Sequence, residues 1–213
     1  MSGPFQTRLL RQFSLPRLSP LGWIVKHFFQ QNNRFVEQAA VNLALLEPDH
    51  QVLELGFGPG VGLKNALAKL GPHGHLYGVD PSEYMHSVAS RRLASGIQTG
   101  QVKLLRGRAE SLPLSDGTID RVFHCSSYYY WTDLDKACNE IKRVMKPGAF
   151  MVTTLRMSQL QKLEENGLFK EVNWQPQLLM EALQRAHFTD VNMKKTSNKA
   201  QLNMRQFLPP LLK

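Results

Sequence analysis

Residues 54–62 read Glu-Leu-Gly-Phe-Gly-Pro-Gly-Val-Gly, with glycine at every second position from 56 to 62, directly after a short apolar run. No other stretch constrains the fold as strongly. Glycine lets a chain turn tightly and lets backbone approach a ligand closely. The preceding Gln51-Val52-Leu53-Glu54-Leu55 reads as a buried strand. Leu63, Leu67 and Leu70 follow at helical spacing until Gly71-Pro72 stops the helix. Strand, glycine turn and helix in that order form the opening unit of a doubly wound α/β sheet. The dinucleotide pattern G-x-G-x-x-G would need glycine at 61, where Val61 stands. A G-x-G-x-G spacing with an acid two residues ahead fits a nucleoside ligand that lacks a pyrophosphate.

The alternation continues downstream. His75–Val79 reads as a second strand, and Ser82 is placed to cap a helix carrying Met85, Val88, Ala89 and Leu93. Val102–Leu105, Asp120–Cys125 and Ala149–Thr154 read as further strands, with a helix through Leu134, Cys138, Ile141 and Met145 before the last. Such alternation predicts a parallel sheet covered on both faces. The final third differs. Pro176 suits a first helical residue, 155–173 is polar and irregular, and Val191–Lys195 with Leu202–Phe207 reads as an antiparallel hairpin. Upstream, Trp23–Leu46 reads as one helix, behind a start interrupted by Pro4, Pro16 and Pro20.

With 213 residues, 42% of them hydrophobic, the chain suits a single globular unit rather than a disordered one. We place a basic leader and lid helix at 1–46 and one domain at 47–213. The formal charge of +9 raises nucleic acid or anionic membrane as partners. Its distribution weakens the first. Residues 1–36 hold five basic and no acidic side chains, and so do residues 191–213, leaving the body close to neutral. The basic ends suit peripheral contact with a lipid surface. Two cysteines and no signal-like apolar segment point to a reducing, cytoplasmic home; the acid-free, Arg-bearing start offers a mitochondrial alternative. No run approaches the roughly 20 apolar residues that span a bilayer.

Asp80 closes the second strand, 24 residues after Gly56. A carboxylate there accepts from both hydroxyls of a ribose; it could equally cap the next helix. Val52–Gly60, Tyr77–Ser82, Ala109–Pro113, Asp120–Phe123 and Glu140–Gly148 together resemble, in order, the class I S-adenosylmethionine-dependent methyltransferases. The branch they most resemble is the small-molecule enzymes related to ubiquinone and menaquinone C-methyltransferases.

The resemblance implies a Rossmann-like, seven-stranded mixed sheet with helices on both faces and the 191–207 hairpin as its antiparallel edge. It implies S-adenosyl-L-methionine as cofactor. Gly56, Phe57, Gly58 and Gly60 would lie beneath it, Glu54 beside its methionine part, and Asp80 with Pro81 at its ribose. Ala109 would meet the adenine edge, while Cys125 and Ser126 would face the methionine end. Arg108 stands where many members carry Asp, which leaves Glu110 to take the adenine contact. Ser126 stands where many carry Asn.

Methyl transfer needs a general base only when the nucleophile must lose a proton. His124 is the candidate, against a reading as a packed strand-end histidine. Tyr128 and Tyr129, with Trp23 and His27 from the leader, are candidates for an apolar acceptor pocket. Cys125 could instead be a covalent nucleophile, though no Pro-Cys or Thr-Cys flanks it. His73-Gly74-His75 reads as a turn, and no metal site is expected. The function expected is methylation of a small apolar or aromatic molecule by a monomer or homodimer. The alternatives are an RNA or protein methyltransferase gripping its partner with basic ends, or a non-catalytic cofactor-binding module.

Overall fold

Helices cover both faces of the central sheet, so its strands are apolar on both sides. The computed structural model describes residues 4–170, 172–196 and 199–201. Five strands run parallel: β1 Gln51–Leu55, β2 His75–Asp80, β3 Val102–Arg106, β4 Ile119–Cys125 and β5 Met145–Thr154. Their order is β3-β2-β1-β4-β5. The helices among them are α1 Pro4–Ser14, α2 Pro20–Asn32, α3 Arg34–Leu43, α4 Val61–Leu67, α5 Glu83–Arg92, α6 Ala94–Gln98, α7 Leu134–Val144, α8 Met157–Glu165 and α9 Pro176–Arg185.

β1 sits at the centre, Leu53 registering with Tyr77 on one side and Val122 on the other. Successive side chains point to opposite faces. Val52, Phe123 and Val152 join Val36 and Ala40 of α3 and Leu63 of α4 in one core. Leu53, Val122 and Met151 join Ile141 of α7 and Leu179 of α9 in the other. Each fully buried Leu or Ile contributes about 1.5–3 kcal/mol. The chain winds outward from β1 through β2 to β3, then returns to the far side of β1 as β4. Connections therefore leave β1 and β4 in opposite directions, which opens a crevice at their carboxyl ends.

Several expectations change. The sheet is five-stranded and parallel among the described residues, not seven-stranded and mixed. β6 Lys194–Thr196 pairs antiparallel with β7 Lys199–Gln201 as a separate ladder. A strand reading Lys-Lys-Thr has no apolar face to bury in a covered sheet. Residues 202–207, expected as the second arm, lie outside the described residues. The helix expected over Trp23–Leu46 breaks at Asn33 into α2 and α3. The leader's prolines punctuate more than they interrupt: Pro4 and Pro20 open helices, and the Ser19 hydroxyl accepts from the Gly22 amide at 3.0 Å to cap α2. The 155–173 stretch contains α8, which buries Leu160.

Candidate functional site

The crevice carries a cleft of about 860 Å³, open to solvent, at the ends of β1, β2 and β4. Its floor is the glycine loop. Gly58 has φ +49°, and a Cβ there would meet nothing within 4 Å. A side chain at 58 would thus project into the cleft itself, so glycine keeps the floor bare. Gly62 serves a different purpose: a Cβ there would overlap the Glu54 carboxyl. Glu54 is 1% exposed and lies beneath the loop, off the cleft wall. Gly60 also lies off the wall, in the left-handed region at the start of α4, with Ala89 against it. Gly56 and Phe57 line the cleft.

Asp80 faces this floor from the end of β2. Its Oδ2 accepts from the Gly58 amide at 2.9 Å and its Oδ1 from the Ser82 amide at 2.8 Å. Burial pushes its carboxyl up, while those amides and His86 hold it down. The helix cap is Ser82, whose hydroxyl accepts from the Met85 amide at 3.1 Å. The same hydroxyl donates to the Pro16 carbonyl, tying the leader beside the cleft. Pro81 lines the wall next to it.

The adenine-side candidates Arg108, Ala109 and Glu110 all line the cleft. Glu110 is already engaged: its Oε1 accepts from the Thr132 amide and, at 2.8 Å, from the Thr132 hydroxyl. Burial raises its pKa, yet these donors outweigh burial and hold it below the ordinary glutamate value. Behind this wall Glu140 accepts from the Leu112 amide at 2.9 Å, and Arg143 donates to the Leu112 and Leu114 carbonyls. The Glu140–Arg143 pair thereby fixes the segment that carries Ala109 and Glu110.

β4 ends with Cys125 and Ser126 on the cleft wall. His124, one residue earlier, points to the opposite face of the sheet. It is 0% exposed, with Nε2 2.8 Å from the Thr153 hydroxyl and Nδ1 3.2 Å from that of Ser127. Burial lowers its pKa to about 3, and it lies off the cleft wall. The Cys125 thiol is pushed well up by burial and by Glu37 and Glu54 nearby. Ser126 sits at φ +51°, a left-handed conformation that costs a non-glycine residue about 1–2 kcal/mol.

The leader closes the site. Phe13 of α1 packs edge-on against Phe28 and Phe29 of α2, and against Phe169 at 6.4 Å. Phe13, Phe29, Asn33 and Glu37 line the cleft. A second chamber of about 340 Å³ adjoins it, walled by Phe28, Tyr129, Phe169 and Arg156 together with Phe13, Phe29, Asn33, Ser126 and Tyr130, which line both spaces. Tyr129 is therefore brought to the site. Tyr128 is not: it is buried in the core, its hydroxyl donating to the Trp174 carbonyl. Trp23 and His27 stack on each other outside, with Trp23 54% exposed. The sequence reading missed Phe13, Phe29, Asn33 and Glu37. Trp23–Leu46 already reads as helical, but only the fold shows which helix face meets the cleft.

These residues fit S-adenosylmethionine. A carboxylate offers about four acceptor positions; two on Asp80 are filled, which leaves two for a ribose diol. The bare floor at Gly58 admits a flat ligand. Among the described residues no group of three His, Cys, Asp or Glu could hold a metal ion, and no helix is long and apolar enough to cross a membrane.

Comparison with known proteins points the same way. Residues 53–153 match the family described as "Methyltransferase domain". An uncharacterized methyltransferase of Bacillus subtilis, YdaC, is 31% identical over 62% of this chain and 71% of its own length. A demethylmenaquinone methyltransferase of Thermus thermophilus is 32% identical over 53% of this chain, which spans only 50% of that enzyme. The fold is shared with a SAM-dependent methyltransferase from Aquifex aeolicus, at TM-score 0.71 and 19% identity, covering 86% of this chain and 97% of that one.

Proposed function

The chain belongs to the class I S-adenosylmethionine-dependent methyltransferases, and from that premise we propose that it methylates a small apolar or aromatic molecule held in the aromatic chamber. The observation that carries this is the shared wall. Asn33, Ser126 and Tyr130 border both the cofactor cleft and a chamber faced with six aromatic rings.

S-adenosylmethionine, when bound, supplies an electrophilic methyl group on a sulfonium. The chain supplies position. Asp80 would accept from the ribose hydroxyls, Gly56 and Gly58 would pass beneath, Ala109 would meet the adenine edge, and Cys125 with Ser126 would face the methionine end. Holding acceptor and donor in line is worth roughly 7–11 kcal/mol. Phe13 and Phe29 line the cleft from the leader side. Tyr129 and Tyr130 are held protonated by burial, as is Cys125, and His124 faces the other side of the sheet. The acceptor therefore brings a nucleophile that needs no base from these side chains.

An acidic macromolecule is the second reading. Arg8, Arg11, Arg17 and Arg108 line a neighbouring hollow. The chamber favours the small molecule, because aromatic rings wall it and Arg156 is its one basic side chain among the described residues, whereas the arginines cluster in the separate hollow.

Incubation with methyl-labelled S-adenosylmethionine and a fractionated cell extract tests this. Label in an organic-soluble small molecule is expected. Label confined to RNA or protein would overturn it.

A further inference from the structure

Glu37 is a buried carboxyl on the cleft wall that the reading above leaves without a role. It is 4% exposed, in the first turn of α3, and its Oε2 has no hydrogen-bond partner. The other acids on the wall are engaged: Asp80 by the Gly58 and Ser82 amides, Glu110 by Thr132. Arg92 of α5 acts on Glu37, and Glu37 in turn raises the buried Glu54 of β1 and Cys125 of β4. Arg92 donates to the Pro59 carbonyl and makes no ion pair with Glu37 among the described residues. An ionised Glu37 would thus be a desolvated charge with one oxygen lacking a donor and a second buried carboxyl beside it. Such a charge is expensive. Without a ligand, burial holds the group largely protonated at neutral pH.

The ligand assigned to this cleft changes charge during the reaction. S-adenosylmethionine carries a sulfonium, an ammonium and a carboxylate, one net positive charge. S-adenosylhomocysteine, left when the methyl has gone, is a thioether with no net charge.

We propose that Glu37 is the counter-charge for the cationic methyl donor, releasing its proton to solvent when the donor enters and taking one back when the neutral product remains. The inference rests on the reading that this cleft binds S-adenosylmethionine. In the balance, the neutral carboxyl and the cationic donor become a carboxylate, the bound donor and one proton in the buffer. After transfer, the carboxylate and a buffer proton restore the acid. The restored acid makes no ion pair with the product, so Glu37 favours donor over product. Burial of Glu37, eased by Arg92, places its pKa at about 8, high enough for that exchange near neutral pH.

Titration calorimetry of the full chain at pH 7, in two buffers of different protonation enthalpy, reads the proton count. Wild type is expected to release close to one proton with S-adenosylmethionine and far less with S-adenosylhomocysteine. Glu37→Gln should abolish the release and weaken the donor by about tenfold while leaving the product unchanged. Glu37→Asp should restore part of the release. Equal proton counts for the two ligands in wild type would overturn the proposal, as would equal losses of both in Glu37→Gln. The wild-type comparison decides the matter even where a variant does not fold. Failure of either ligand to bind wild type would instead sink the cofactor reading, and this inference with it.

Discussion

The Asp80 carboxylate accepts a hydrogen bond from the Gly58 amide at 2.9 Å, joining the end of β2 to the loop after β1. The bond fixes the floor and the ribose acceptor as one unit. Gly58 meets that geometry at φ +49° with no side chain over the cleft. Gly58→Ala should cost about 1 kcal/mol in denaturant unfolding, because alanine resists the left-handed region. It should also weaken S-adenosylmethionine binding, since the new methyl enters the cleft. Unchanged binding would show that the ligand does not lie over Gly58.

Glu37 and His124 set opposite pH slopes on stability. Glu37 is raised from 4.5 to about 8 in the folded state, so folding binds its proton more tightly. Its stabilisation is fully present below about 4.5 and is lost as pH rises to about 8. His124 is lowered from 6.5 to about 3, so its contribution is present above 6.5 and lost as pH falls. Between pH 6.5 and 8 the His124 slope fades and the Glu37 slope dominates, falling from roughly 1.4 kcal/mol per pH unit to about half of that at pH 8. Chemical denaturation of the ligand-free protein should show wild type losing stability across that window relative to Glu37→Gln. Parallel curves would contradict a buried, neutral Glu37.

His124 holds Thr153 and Ser127 and lines no part of the cleft. His124→Ala should therefore lower the unfolding midpoint, by a cavity cost of about 2–5 kcal/mol. The folded fraction should bind S-adenosylmethionine as wild type does. A binding defect without loss of stability would return His124 to the site.

Ser126 carries strain that a different side chain would relieve or worsen. Asparagine enters the left-handed region readily and β-branched residues do not. Thermal unfolding should find Ser126→Asn at least as stable as wild type and Ser126→Val destabilised by about 1–2 kcal/mol. The reverse order would mean that the Ser126 turn opens.

Much of this architecture was legible in the residues. The alternation of glycines at 56, 58, 60 and 62, and the acid at 80, point to the right loop and the right strand end because both are local patterns. The period of two along β4 separates Cys125 from His124, and that rule was available, but which face meets the cleft depends on where α3 and α7 dock. The leader shows the limit most clearly. Phe13, Phe29 and Phe169 meet across more than 150 residues of chain, and no local spacing marks them as one wall. Trp23 and His27, the most conspicuous aromatics there, instead stack on the outside. The separate β6–β7 ladder reflects a further limit, since extended propensity at Lys194–Thr196 does not say which sheet a strand joins.

Equilibrium binding of S-adenosylmethionine to wild type and to Asp80→Ala tests the central claim most directly. The account predicts saturable binding at one site per chain in wild type, and a loss of at least tenfold in Asp80→Ala with the variant still folded. No binding by wild type, or equal affinity in the two proteins, would contradict it.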